Sequence, residues 1–150
     1  MLGRLARWLR LLGFDTLYYP LIKDSLLLKI AREEKRTLLT RDTRLVKVRG
    51  LEDFLLLKEN DTFDQLRKVI AMYDLIPDIN KLSGTRLLSR CSLCNSVLDD
   101  VPREQAKAHV PEYVYLVSEN FRHCPQCGKF YWKGTHQDLL EKKLREIIYN

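Results

Sequence analysis

The stretch that decides the fold is Thr37-Leu38-Leu39-Thr40-Arg41-Asp42. Two leucines between β-branched threonines are typical of a short buried strand, and the preceding residues follow a helical pattern. In a parallel α/β sheet, side chains at the carboxyl ends of the strands face the ligand crevice, so Asp42 is a candidate ligand for a hard metal ion. Alternatively, Asp42 opens the turn that follows the strand, a common role of aspartate. The stretch alone supports both interpretations equally.

Composition limits the classes of protein to which the chain can belong. A chain of 150 residues, 45% hydrophobic and 31% charged, is globular and can hold one domain plus a small module. The formal net charge of +6 favours a polyanionic partner, nucleic acid before a membrane surface. The apolar runs are too short to span a membrane, and the arginines near the N-terminus argue against a signal peptide. We therefore expect a cytoplasmic protein without a membrane partner.

Residues 1–78 alternate between helical and strand patterns, which indicates a parallel or mostly parallel sheet with helices on both faces. The pattern predicts helices over residues 2–12, 25–36 and 63–72, and strands over residues 16–19, 37–42 and 54–57. Asp24 stands at the start of the second helix, where a helix cap is the default interpretation. Asn60 or Asp61 caps the third helix.

Three arginines, Arg4, Arg7 and Arg10, recur through the first helix. The helical period places them opposite a face of leucines. The simplest interpretation is a solvated face, and the alternative is a stripe that binds phosphates.

The second predicted module, residues 90–150, follows a linker at 79–89 and contains two cysteine pairs. Each pair is spaced as in a knuckle that directs two thiolates at one ion, and together the pairs Cys91–Cys94 and Cys124–Cys127 complete a tetrahedral zinc site. Four protein ligands make the site closed and structural, and an Fe–S cluster or a redox dithiol is the alternative. Strands over residues 114–117 and 129–132 would complete a zinc ribbon with its own core, followed by a helix over 137–149.

The surface of the ribbon is a candidate for binding single-stranded nucleic acid. Cations interleave with aromatic side chains in this segment, which suits backbone phosphates beside stacked bases. The cations are Arg122, Lys129, Lys133 and His136, and the aromatic residues include Tyr131 and Trp132. In the competing interpretation, Phe130 and Trp132 fill the small core of the ribbon and the cations keep the protein soluble.

Several motifs along the chain resemble the Mut-seven C-terminal RNase domain family. They begin with Leu-Gly-Arg-Leu-Ala-Arg-Trp-Leu-Arg at residues 2–10 and Leu-Leu-Thr-Arg-Asp at 38–42. They continue with Cys-x-x-Cys-Asn at 91–95, Cys-Pro-x-Cys-Gly at 124–128 and Tyr-Trp-x-Gly-Thr-His at 131–136. The resemblance covers nearly the whole chain. It implies a PIN-like α/β nuclease fold, mostly parallel in its sheet, with an appended C-terminal zinc ribbon.

The resemblance also implies an acidic site for Mg²⁺ or Mn²⁺. Asp42 matches the Thr-Arg-Asp motif of the family, and Asp24 resembles the acidic residue that opens its second helix. A further carboxylate normally ends a first strand just before the Leu-Gly-Arg run, and the sequence that starts at Met1 does not contain it. We therefore expect a metal-dependent ribonuclease that is weak without this residue. Phosphates beside the cleaved bond would be bound by arginines, which match them bidentately, namely Arg4, Arg7, Arg41 and Arg44. A non-catalytic RNA-binding module is the alternative.

Overall fold

The computed structural model describes residues 2–76 and 88–149, apart from the side chains of 135–137. These residues form a mixed α/β structure with a two-stranded parallel sheet followed by a three-stranded antiparallel sheet. The mixed α/β class is confirmed, but a PIN-like, mostly parallel sheet is not. Most of the predicted linker, residues 79–89, lies outside the described residues. Within the described ranges, none of the helices combines the length and apolarity needed to cross a membrane.

The first half of the chain follows the predicted order of helices and strands, apart from the strand predicted over residues 16–19. Its elements are α1 (Gly3–Leu11), α2 (Asp24–Glu33), β1 (Leu38–Thr40), a 3-10 turn (Leu45–Lys47), β2 (Phe54–Leu56) and α3 (Thr62–Met72). Strand β1 pairs with β2 in parallel, with Leu39 opposite Leu55. Asp61 caps α3, because its carboxylate accepts the backbone N–H groups of Phe63 and Asp64 at 2.8 and 3.2 Å.

The predicted strand over residues 16–19 is wrong. This segment forms no strand with any other described segment, and side chains bind its backbone groups instead. The carbonyl of Thr16 accepts from Arg10 at 2.9 Å, and the N–H of Thr16 donates to Asn95 at 3.0 Å. Strand propensity in such a short run is decided by the available partners, and here the partners are side chains of distant residues.

The second half contains β3 (Asp99–Val101), α4 (Arg103–Ala106), α5 (Glu112–Val117), β4 (Phe121–His123), β5 (Phe130–Trp132) and α6 (Thr135–Tyr149). The three strands pair antiparallel in chain order. The strand predicted over residues 114–117 is wrong, because this segment is helix α5. Val114 is its buried side chain, and Leu116, which an alternating strand would bury as well, is 67% exposed.

The largest hydrophobic core joins the two ends of the chain. Most of its buried side chains belong to α1, to the residue that follows it, to α3 and to α6, namely Leu5, Leu9, Leu12, Leu66, Val69, Ile70, Leu140, Leu144 and Ile147. We expected α6 to belong to the same module as the cysteines, but its apolar face packs on the core of the first half. The boundaries proposed at residues 78 and 90 stay a prediction.

The packing of α6 predicts how two leucines of this helix respond to truncation. Leu144 is 3% exposed and Leu139 is 58% exposed. Leu144→Ala should lower the free energy of unfolding by about 2–5 kcal/mol, because it leaves a cavity in the core. The control Leu139→Ala should change it by less than about 0.5 kcal/mol. Urea unfolding of both variants measures this difference, and equal effects would show that α6 is not packed on this core.

Candidate metal centre and acidic site

The four cysteines form a cluster that can bind one zinc ion. Their sulfur atoms all lie within 4.8 Å of one another. Tetrahedral zinc, with Zn–S bonds of about 2.3 Å, separates its sulfur ligands by about 3.8 Å. The Sγ atoms of Cys91 and Cys127 are 3.5 Å apart and those of Cys94 and Cys124 are 3.3 Å apart, so a small expansion would fit the ion. The donor set and the spacing both suit a zinc ribbon.

Both cysteine pairs are held by the same type of turn. In each pair, the residue after the second cysteine donates its backbone N–H to the carbonyl of the first cysteine. Asn95 bonds to Cys91 in this way and Gly128 bonds to Cys124, both at 2.9 Å. Asn95 has a φ of 72° and Gly128 a φ of 79°, the left-handed region that asparagine and glycine tolerate best. Gly128 and Asn95 thus supply the left-handed residue that each knuckle turn requires.

Tyr131 faces the metal centre and is not available to nucleic acid. Its ring is buried, and its hydroxyl lies 3.1 Å from the sulfur of Cys91 and accepts the backbone N–H of Ser92 at 3.1 Å. Burial and then the neighbouring Cys91 raise the pKa of Tyr131 to about 12, so the phenol keeps its proton and can donate to a thiolate. The prediction that Tyr131 stacks on bases is therefore not supported, because a buried ring offers no free face.

Without a bound cation, the cysteine thiols differ in how readily they ionise. Burial opposes ionisation of Cys94, but hydrogen bonds from Ser96 and contact with Cys124 outweigh it and lower the pKa of Cys94 to about 6. A hydrogen bond from the backbone N–H of Lys129 favours ionisation of Cys127. Burial and the neighbouring thiols of Cys91 and Cys124 outweigh it and raise the pKa of Cys127 to about 12. A bound divalent cation would offset this repulsion, which is why thiolate sites release protons when they bind metal.

The other ribbon residues predicted to contact nucleic acid fall into two groups. Lys129 and Lys133 are exposed, as a binding surface requires. Trp132 is half-buried and packs on the small core of Ala106, Val114 and Phe121, which supports the competing interpretation for this ring. Arg122 donates to Asp100 at 3.1 Å and to the carbonyl of Leu88 at 2.9 Å, so its guanidinium takes part in the protein's own contacts. The side chain of His136 lies outside the described residues.

Asp42 lies two residues beyond β1, and both interpretations of it describe part of its environment. One carboxylate oxygen accepts the backbone N–H of Arg44 at 2.8 Å, which is the turn interaction. The other oxygen pairs with the guanidinium of Arg44 at 3.1 Å. The hydrogen bonds from Arg44 hold the pKa of Asp42 below its ordinary value, so this carboxylate is ionised at neutral pH. Asp42 is thus a fixed, partly exposed carboxylate beside the end of a strand.

Asp24 lies near the same guanidinium. It is the first residue of α2, whose N-cap position is Lys23, so Asp24 is not the cap that we predicted. The charges of Asp42 and then, more weakly, of Asp24 raise the pKa of Arg44. Arg44 therefore pairs directly with Asp42 and feels the charge of Asp24 only at longer range. Among the described residues, however, no group of three carboxylates converges in the way that the four cysteines do.

The remaining predicted phosphate-binding arginines lie at separate places on the first half. Arg41 follows β1 directly and donates to the side-chain oxygen of Asn60 at 2.6 Å. Arg4 and Arg7 are exposed on α1, and neither side chain forms a hydrogen bond or ion pair with another described residue. These two arginines fit the predicted solvated face of the helix.

An apolar cleft of about 330 Å³ separates the segment around Leu17 from strand β1. The backbone groups of Leu38 and Thr40 form hydrogen bonds to the β2 side of the sheet. Because these groups alternate in direction along a strand, the backbone groups of Leu39 face the cleft. Asp15 and Arg36 line the cleft and pair with each other at 3.0 Å. The cleft adjoins the edge of β1 that has no described strand partner.

The sequence matches the Mut7-C RNAse domain family over residues 1–144. The chain belongs to this family. Searches of curated proteins and of solved structures found no match. Membership confirms the resemblance seen in the sequence motifs and indicates a nuclease-like, RNA-related function.

Sequence reasoning missed the role of Arg10, which was expected on the exposed face of α1. Its side chain is only 6% exposed and contacts the first cysteine knuckle. The signal available in the sequence is Ala6, because residues four apart lie on the same side of a helix and a small side chain there leaves room for a close neighbour. Asn95 and Asp15, which join the same contacts, gave no signal beyond the position of Asn95 in a family motif.

The cysteine cluster predicts a zinc content that a single substitution abolishes. Elemental analysis of the purified protein should find about one zinc per chain. Cys124→Ser removes one of four thiolates and should leave well below stoichiometric zinc after dialysis. A folded wild-type protein without zinc, or a variant that retains all its zinc, would contradict the assignment.

Proposed function

We propose that this protein is a metal-dependent ribonuclease that hydrolyses phosphodiester bonds in RNA, with Asp42 and Asp24 at its acidic site. The observation that carries the proposal is the family match over residues 1–144. The position of Asp42 supports it, because a carboxylate fixed beside the end of a parallel strand faces the usual ligand crevice of an α/β sheet. In this proposal the first half corresponds to a PIN-like domain in the cytoplasm.

The acidic pair and Arg44 suit a loosely held Mg²⁺ or Mn²⁺. Such ions bind through one or two carboxylates and complete their shell with water and substrate phosphate. When bound, the ion would polarise the phosphate and offset its charge. Arg44 has a side chain that is 87% exposed, so it can leave Asp42 for solvent without losing packing. Its guanidinium would then be free to bind a neighbouring phosphate of the RNA.

The proposed RNA surface consists of exposed cations outside the acidic site. Arg4 and Arg7 on α1 offer guanidinium groups, and Lys129 and Lys133 on the ribbon offer ammonium groups. A preference for single strands would need the exposed part of the Trp132 ring, because the rest of that ring packs on the ribbon core. The positive net charge of the chain adds long-range attraction for the RNA backbone.

A second function, RNA binding without catalysis, is favoured by one specific observation. Both carboxylate oxygens of Asp42 accept hydrogen bonds from Arg44, and the described residues gather no third carboxylate beside it. With this geometry the exposed cations would still bind RNA. The two functions therefore make different predictions: a nuclease cleaves RNA and needs Asp42 to do so, whereas a binding module binds RNA without cleaving it.

Cleavage of a labelled single-stranded RNA decides between the two functions. We expect slow cleavage that requires Mg²⁺ or Mn²⁺ and stops with EDTA. Asp42→Asn should slow it at least about a hundredfold, because misplacing the reacting groups costs about that much. The matched control is Asp64→Asn, which also removes an aspartate–arginine pair, at 2.7 Å to Arg67. It should cleave at the wild-type rate.

RNA affinity of the same variants provides the internal check. Asp42→Asn should bind RNA about as well as the wild type, because the exposed cations are unchanged. Equal cleavage by Asp42→Asn and wild type, or no cleavage by either with binding intact, would refute the nuclease and leave the binding module.

The salt dependence of RNA binding tests the arginines of α1. Each phosphate contact on a single strand contributes about 0.7 to the slope of log affinity against log salt. Replacing Arg4 and Arg7 by glutamine should therefore reduce that slope by about 1.4. Replacing Lys142 and Arg145, two exposed cations of α6, removes the same charge and serves as control. Equal slopes in the two double variants would show that Arg4 and Arg7 do not contact phosphate.

A further inference from the structure

The guanidinium of Arg10 is buried without a carboxylate partner. The side chain is 6% exposed, and its nitrogen atoms donate to the carbonyls of Thr16 at 2.9 Å, Ser92 at 3.2 Å and Leu93 at 3.0 Å. Within residues 2–76 and 88–149, no carboxylate forms an ion pair with it. Carbonyls accept hydrogen bonds from its Nε and from one terminal nitrogen but supply no net negative charge. A buried charge without a counter-charge is costly.

The cysteine cluster is a source of negative charge beside two of the three carbonyls that Arg10 binds. These two carbonyls belong to Ser92 and Leu93, the residues between the ligands Cys91 and Cys94. Burial lowers the pKa of Arg10, and the charges of Cys94 and Cys91 act in the opposite direction. Four thiolates around one divalent zinc ion leave a net charge of about −2 at this site. A guanidinium, which stays charged at any physiological pH, is a suitable counter-charge.

We propose that Arg10 is a positioning residue for the zinc centre, which it supports both as a counter-charge and as a clamp on the first knuckle. Helix α1 thereby becomes part of the outer shell of the metal site. Zinc occupancy and the docking of the end of α1 are then linked, so that each stabilises the other. This linkage does not depend on the nuclease activity.

A second set of contacts joins the same knuckle to the residues that follow α1. The side chain of Asn95 accepts from the N–H of Thr16 at 3.0 Å and donates to Asp15 at 2.7 Å. Asp15 in turn accepts from Arg36 at 3.0 Å. Because the N–H of Asn95 closes the turn around the first cysteine pair, the geometry of the knuckle fixes where this side chain points. Relaxing the knuckle would weaken these contacts as well.

The structure also shows why the linkage reaches the first half of the molecule. Arg10 lies between Leu9 and Leu12, which are buried in the core that α1 shares with α3 and α6. A shift of Arg10 therefore moves the end of the helix on which that core is built. Arg4 and Arg7 lie on the same helix, so the proposed RNA surface would move with it.

Zinc affinity, measured by competition with a chromogenic chelator, tests the proposal. Arg10→Met keeps the length and apolar stem but removes the charge and the donors, and it should weaken zinc binding about 10- to 100-fold. Arg7→Met removes an exposed arginine from the same helix and should change zinc affinity less than about twofold. Arg10→Lys keeps the charge and should recover part of the loss. Equal affinity of Arg10→Met and Arg7→Met would overturn the proposal, and so would Arg10→Lys as weak as Arg10→Met.

Hydrogen exchange on the wild-type chain gives an independent readout that needs no folded variant. Chelating the zinc should reduce protection of the Thr16 amide at least about tenfold, because its acceptor, Asn95, is released with the knuckle. The amide of Gln65, in the first turn of α3 and bonded to the carbonyl of Asp61 at 3.0 Å, should change less. Unchanged exchange at Thr16 after zinc removal would overturn the linkage.

Discussion

Helix α1 buries two kinds of side chain. Its leucines are buried in the hydrophobic core, and the guanidinium of Arg10 is buried beside the first cysteine knuckle, where its positive charge needs a counter-charge. Each buried leucine contributes about 1.5–3 kcal/mol, so Leu5, Leu9 and Leu12 fix the helix against α3 and α6. Burying a guanidinium without a counter-charge would cost several kcal/mol. In our proposal the zinc thiolates supply that charge, while the carbonyls of the first knuckle accept the hydrogen bonds of Arg10. One short helix therefore positions both halves of the chain.

Sequence patterns predicted those parts of the structure that local chemistry determines. The helical periods of α1, α2 and α3 and the cysteine spacing each point to one structure, because burial and metal-ligand geometry leave few alternatives. The acidic turn after β1 was also predictable, but Asp42 combines a turn and a charged site, and the sequence could not separate them. Strands β1 and β2 were also predictable, because each is a short apolar run that has to be buried.

Tertiary contacts decided the parts that sequence reasoning missed. Residues 114–117 have strand propensity, yet packing of Val114 on Phe121 selects a helix. Tyr131 looked like a stacking platform because its neighbours are cationic, and only the fold shows its hydroxyl turned towards Cys91. Two of the carbonyls bound by Arg10, those of Ser92 and Leu93, lie 82 and 83 residues further along the chain, beyond the reach of any local pattern.

Cooperative unfolding tests the central claim that α1 makes the zinc ribbon and the first half one structure. In Trp132→Phe the remaining tryptophan is Trp8, which lies in α1 against Phe63 at a ring separation of 5.1 Å. Urea unfolding can then be followed in one sample by Trp8 fluorescence and by zinc release to a weak indicator dye. We predict that the two transitions coincide at one urea concentration. Zinc release at clearly lower urea, with Trp8 still native, would contradict the account.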